Sequence, residues 1–386
     1  MFKRVGVCLI AFVVLASAAA CGSDSDKAVD SPSSPSSANS ANSEESQSVS
    51  DSEDSADSEV ADALTGVGFS AQWERVDAPA DCMCADGSAW SYFVRDSSET
   101  KVMFFLEGGG ACFTAQMCAK GSDTYKQVVG QEGGFAETEG VFDLDNPKNP
   151  FADYSIVFVP YCTGDVHGGS VTKDYGDGVV VQHKGFVNGS TAMTALLERF
   201  PDATEVVVAG VSAGSFPTPA YAGLIADSLP NASVRVIADG SGAIPDAMGA
   251  VSSNWGLLEA LPQWPEIAGA TAADVTPSWI FEIAAKHDPE IRFARHDYAF
   301  DATLADYAAM VGIAASDLLP LMEANEAKVE AFSGDMSTWI APGDNHTILS
   351  KADMYSEELG GVRFIDWLSD FVAGGSPADQ HCTQCS

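Results

Sequence analysis

Short runs of apolar and β-branched residues recur along most of this chain, each followed by a longer segment with helical spacing. No other feature constrains the fold as tightly. The runs at 102–106, 155–161, 205–209, 234–238, 291–294 and 338–341 predict strands, and 190–199, 221–228, 302–310 and 315–332 predict helices. A strand that leads through a helix to the next strand requires a crossover, so neighbouring strands run parallel. Parallel strands need both faces covered, and a run such as Val206-Val207-Val208, apolar at successive positions, is suited to that. The expectation is a three-layer α/β domain with a mainly parallel sheet over residues 63–386, without internal repeats.

The residues before that body read differently. Lys3 and Arg4 precede an apolar stretch at 5–15 and small residues at 16–20. That core is shorter than the roughly 20 residues a membrane-spanning helix needs, so 1–20 reads as an export signal. Ala18-Ala19-Ala20-Cys21 resembles a bacterial lipobox, which makes Cys21 a lipidation site and the mature protein a cell-envelope lipoprotein; the other outcome is plain secretion. Residues 22–62 hold 15 Ser, 11 Asp or Glu and no aromatic residue, too little apolar surface to offset the entropy of ordering, and read as an acidic tether.

Charge narrows the function. Asp and Glu number 55 against 19 Lys and Arg, a net charge of -36 that supplies no basic face for phosphates, so nucleic acid is excluded as a partner. Beyond Cys8 and Cys21 the cysteines are Cys82, Cys84, Cys112, Cys118, Cys162, Cys382 and Cys385. In an exported chain these pair, and their odd number leaves one over. Cys112 with Cys118 is the easiest local pair, and Cys162 is expected to reach Cys82 or Cys84. The competing arrangement is a zinc site built from Cys82, Cys84, Cys382 and Cys385.

The chemistry concentrates at Gly210-Val211-Ser212-Ala213-Gly214, between a predicted strand and a predicted helix. A nucleophile on so sharp a turn needs small neighbours, which Gly210 and Gly214 provide. Upstream, the strand at 102–106 runs into Glu107-Gly108-Gly109-Gly110, whose amides, with that of Ala213, suit an oxyanion hole: Gly109, Gly110 and Ala213 are the expected donors. His346, in a polar loop after the strand at 338–341, fits the general base, because the chain order Ser, acid, His puts the base last. His167, His183, His287, His296 and His381 fit less well by position. Asp301, at the start of the helical pattern 302–310, is the expected acid and equally a helix cap; Asp297 is the near alternative and Asp239 a weaker one.

Together these motifs resemble the pectin acetylesterase and Notum family of α/β-hydrolase esterases. The resemblance rests on Phe105-Leu106-Glu107-Gly108-Gly109-Gly110-Ala111-Cys112, Pro160-Tyr161-Cys162-Thr163-Gly164-Asp165-Val166-His167, Gly210 to Gly214, the His346 loop, and Cys84-Ala85-Asp86-Gly87-Ser88. It implies an α/β-hydrolase fold and a triad of Ser212, Asp301 and His346. It also implies ester hydrolysis without metal or organic cofactor; Asp165 and His167 are expected to contact substrate and shape the pocket or to support Ser212, a structural turn being the other reading. Two positions depart from the family pattern: the glycine loop lacks its usual aromatic residue, and Asp301 lacks a closely following Gln. The expected substrate is an O-acylated extracellular molecule, a polysaccharide among the candidates, handled by a monomer. A silent surface-binding lipoprotein, or a peptidase or lipase on the same fold, are the other readings.

Overall fold

The computed structural model describes residues 73–129, 135–246, 249–333 and 336–385. The signal segment, Cys21 and the tether lie outside the described residues. Nine strands form the central sheet: β1 Trp73–Asp77, β2 Ser91–Arg95, β3 Lys101–Leu106, β4 Ser155–Val159, β5 Glu205–Val211, β6 Ser233–Asp239, β7 Arg292–Tyr298, β8 Met336–Ala341 and β9 Gln380–His381. Their spatial order is β1-β2-β4-β3-β5-β6-β7-β8-β9. Only the pairs β1–β2 and β2–β4 are antiparallel; every other neighbouring pair is parallel. The α/β expectation and its mainly parallel sheet are therefore met, with an antiparallel edge added.

Among the described residues six longer helices accompany the sheet: α1 Gly185–Arg199, α2 Thr218–Ser228, α3 Pro277–His287, α4 Ala302–Met310, α5 Leu318–Ser333 and α6 Phe364–Val372. Alternation along the strands separates two cores. Val102, Phe104 and Leu106 face one, with Leu196 of α1, Ile225 of α2 and Phe281 of α3. Met103 and Phe105 face the other, with Phe142, Trp339 and the apolar side of α6. Each face of the sheet is thus sealed against water, as parallel strands require.

Several boundaries differ from the sequence reading for identifiable reasons. β4 stops at Val159 because Pro160 has no N–H to continue the ladder. β7 continues to Tyr298 through Arg295, His296 and Asp297, polar residues that interrupt the apolar signal but are buried because they pair with one another or with neighbours. The segment 315–317 is a 3-10 turn, and α5 begins at Leu318.

The structure pairs Cys84 with Cys162, Cys112 with Cys118 and Cys382 with Cys385, leaving Cys82 buried and free. With three of its four thiols spent in disulfides, the zinc arrangement is ruled out. The body lacking its signal and Cys21, denatured without reductant, should therefore expose one titratable thiol, and after reduction seven. Three or more thiols before reduction would contradict the pairing.

Candidate active site

The sheet aligns its chemistry at one edge. Leu106 is in register with Gly210, Val211 with Asp239, Asp239 with His296, and Tyr298 with Ala341, so the loops after β3, β5, β6, β7 and β8 leave side by side. Ser212 follows β5 directly and opens a 3-10 turn with φ of +53°, a left-handed conformation that costs a non-glycine residue about 1–3 kcal/mol. The two flanking glycines make this turn possible. A Cβ at Gly210 would stand 2.2 Å from the carbonyl oxygen of Gly214, and one at Gly214 would stand 2.1 Å from that of Leu106. The first could not move aside without moving the turn itself, nor the second without moving the end of β3.

The turn turns the Ser212 hydroxyl toward His346, whose Nε2 lies 2.7 Å from Oγ. On the other side of the ring, Nδ1 lies 2.6 Å from Oδ2 of Asp301. A carboxylate accepts, so Nδ1 carries the proton and Nε2 is left to accept from the serine hydroxyl. Asp301 is fully buried and holds two partners, because its Oδ1 accepts the Leu304 amide at 2.9 Å and caps α4. The imidazole contact and the helix cap thus coexist on one side chain. Asp297 does not reach the imidazole: its oxygens are held by the Gly242 amide at 2.6 Å and by Arg295 at 2.7 Å.

The glycine loop lies against the turn. A Cβ at Gly108 would stand 2.9 Å from Cβ of Ser212, and Gly109 carries the ring of Tyr161, which a Cβ there would meet at 2.3 Å. Gly110 and Ala213 line a largely apolar depression of about 680 Å³, open mouth included, beside Ser212. Phe216, Ile244, Trp255, Leu257 and Tyr307 complete its walls. Ser212 and Gly110 also border a trough with His346, Glu107, Glu137, Thr303, Ser350 and Lys351, whose lining includes the rings of Phe105, Phe142 and Phe158.

Of the readings for Asp165 and His167, the structure supports the structural one. Both are buried, and neither lines the depression or the trough. Asp165 accepts from the Thr163 hydroxyl at 2.6 Å and the Gly185 amide at 2.8 Å, anchoring the start of α1. His167 Nε2 lies 2.7 Å from the Glu107 carbonyl, and a carbonyl can only accept, so Nε2 bears the proton. Burial outweighs that hydrogen bond and pulls the imidazole down to about 4, which keeps it neutral. The substrate-contact expectation gives way to a scaffolding one, because every polar atom these side chains offer is turned inward.

Asp239 also has a part that its sequence position did not disclose. Its Oδ2 accepts the amides of Ile348 and Leu349, each at 2.8 Å, and so fixes the chain two residues past His346. Its Oδ1 meets Nδ1 of His296 at 2.9 Å, and Nε2 of His296 faces Glu357 at 3.3 Å. Tyr298 donates to the same Glu357 at 2.7 Å. Burial pulls the His296 imidazole down, but hydrogen bonds and charge from Asp239 and Glu357 more than offset this and raise it to about 9. The loop carrying His346 is therefore moored to a buried imidazolium flanked by two carboxylates.

The remaining histidines are occupied. His183 bonds the Thr163 carbonyl and the Tyr175 hydroxyl, His287 stacks on Trp264 beside Asp227, and His381 contacts Thr338 and Glu326. Two groups bring metal-type donor atoms within 4.8 Å of one another among the described residues. One, Cys112, Cys118 and His183, has two sulfurs in a disulfide; the other, Glu326, Glu330 and Asp379, stands at the β8–β9 edge beside Arg295.

Comparison with known proteins agrees with this architecture. Residues 70–251 match the family model described as pectinacetylesterase. Over 95 residues the chain is 30% identical to a zebrafish (Danio rerio) protein named inactive palmitoleoyl-protein carboxylesterase notum1b, covering 68% of that protein and 23% of this chain. The chain belongs to the pectinacetylesterase/Notum family. Within the family it is 31% identical over 137 residues to palmitoleoyl-protein carboxylesterase notum2 of Xenopus laevis, covering 34% of this chain and 27% of the relative. It is 27% identical over 166 residues to pectin acetylesterase 4 of Arabidopsis thaliana, covering 41% and 40%. The chain thus spans well under half the length of these two family members. The model match includes the glycine loop and Ser212 but ends before Asp301 and His346, which the fold alone brings to them.

The mooring yields a pH dependence with a definite sign. A histidine raised to about 9 in the folded state stabilises fully below its ordinary value of 6.5, and that stability is lost as pH rises through about 9. Thermal denaturation should show wild type exceeding His296→Gln most at pH 6 to 7, with the gap closing by about pH 10. A gap that widens with pH would contradict a charged His296.

Proposed function

We propose that this chain is an exported serine carboxylesterase that removes an aliphatic acyl group from a hydroxyl-rich, uncharged alcohol. The observation that carries the reading is the continuous hydrogen-bonded line from Ser212 through His346 to Asp301 beside a glycine loop. His346 Nε2 takes the Ser212 proton as Oγ attacks the ester carbonyl carbon. Asp301 holds the ring in that tautomer and stabilises the imidazolium. The amides of Gly109, Gly110 and Ala213 receive the developing oxyanion, each such donor being worth about 3 kcal/mol in comparable sites. His346 then returns the proton to the departing alcohol, and water repeats the sequence to release the acid.

The two sides of Ser212 support the substrate assignment. His346 must protonate the leaving oxygen, and it borders the trough, with Glu107, Thr303, Ser350 and Lys351, and is absent from the lining of the apolar depression. The alcohol therefore belongs in the trough, where hydroxyl and charged side chains suit a polyhydroxylated partner, and the acyl chain belongs among Phe216, Trp255 and Leu257. The net charge of -36 opposes polyanionic polymers at low salt, favouring neutral ones. A silent binding protein would have no need of a strained serine bonded to an oriented imidazole. Three disulfides favour an oxidising compartment, and Cys21 supports a lipid tether there.

Ser212→Ala should abolish p-nitrophenyl acetate hydrolysis with the fold unchanged by circular dichroism, and Asp301→Asn should lower kcat by about 10⁴-fold. Asp297→Asn, lacking contact with the imidazole, should not match that loss in kcat. Retained turnover in Ser212→Ala would refute the assignment. In the same assay on fractionated cells, Cys21→Ser should move activity from membranes to the medium.

A further inference from the structure

From Gly108 to Ala111 no side chain is larger than a methyl, so the wall of the apolar depression there has to come from another element. That element is α4. Asp301 caps it, and Leu304, Tyr307 and Ala308 line the depression at positions three, six and seven beyond the cap, a spacing that places them along one helical face.

Tyr307 also touches the loop itself. Its hydroxyl accepts the Ala111 amide at 3.0 Å and donates to the Thr124 carbonyl. Gly110 and Tyr125 face each other there across an antiparallel bridge, and the Lys126 amide donates to the Gly109 carbonyl at 2.8 Å. One phenol oxygen thus joins both chains of the bridge to α4. The fit is close: Gly110 has φ of +73°, and a Cβ on it would stand 2.5 Å from the Tyr307 oxygen and 2.2 Å from that of Thr124.

Three consecutive glycines are free to adopt many conformations, whereas an oxyanion hole works only if its donors are fixed before reaction. Besides the Lys126 amide at its middle, side chains hold the loop at both ends. His167 grips the Glu107 carbonyl at its start, and Tyr307 grips the Ala111 amide at its end. We propose that Tyr307 is a positioning and specificity residue: its hydroxyl holds the Gly109–Gly110 peptide at Ser212, and its ring limits the length of acyl chain the depression accepts. The inference rests on the esterase reading above. It also ties two positions of α4 to one reaction, with the acid at the cap and the loop clamp six residues on.

The test compares wild type, Tyr307→Phe and Tyr307→Ala on p-nitrophenyl esters from acetate to laurate, with thermal denaturation alongside. Tyr307→Phe should lower kcat by about 10-fold or more, with KM within about twofold and the chain-length profile unchanged. Tyr307→Ala should show a comparable kcat loss and shift the preferred acyl group to longer chains. A purely structural tyrosine would lower the melting temperature and move neither readout. The proposal is overturned by Tyr307→Phe turning over within about twofold of wild type, or by Tyr307→Ala keeping the wild-type profile. Should Tyr307→Ala fail to fold, Tyr307→Leu, which keeps apolar bulk, carries the chain-length readout. A wild-type chain that hydrolyses none of these esters would instead overturn the esterase reading.

Discussion

The left-handed backbone of Ser212 is the constraint around which the rest is arranged. With φ of +53° the serine leaves its strand, and its hydroxyl meets an imidazole from a loop 134 residues away. Holding a non-glycine residue there costs about 1–3 kcal/mol, which only a rigid surround can absorb. The surround is the sheet edge: the Gly210 and Gly214 positions are pressed against backbone carbonyls on both sides, so the turn has no room to relax.

Polar groups buried under the site extend the same logic. Asp301 is shared between a helix cap and the imidazole, and Asp239 between a buried histidine and the amides after His346. Removing one partner from such a network leaves an uncompensated buried charge, which is far more costly than losing an exposed ion pair. Asp165 and His167, wholly internal, brace the other side of the site through α1 and the Glu107 carbonyl. The reacting groups thus stand on a frame whose electrostatics resist displacement.

Much of this was legible from residue order. The alternation of apolar runs with helical segments marks the six central parallel or near-central strands, and Gly-x-Ser-x-Gly after one of them marks the turn, because both signals are local. Asp301 was legible as a cap, since a carboxylate ahead of that helix can accept its first free amides. Other parts depend on contacts that no local pattern records. The polar residues Arg295, His296 and Asp297 hide the second half of β7, whose burial is possible only through partners distant in sequence. The apolar spacing of Phe364, Ile365, Trp367, Leu368 and Phe371 in α6, and the Thr276-Pro277 start of α3, were signals available but unused. Tyr307 and Asp239 acquire their partners only when loops from four strands meet.

The most direct test of the activated serine is its reaction with a fluorophosphonate probe, followed by mass spectrometry of the labelled peptide. An oriented imidazole and a preformed oxyanion site should give one adduct per folded chain, located on Ser212 and lost on denaturation. Folded protein that stays unlabelled, or that carries the adduct on another residue, would contradict the central claim.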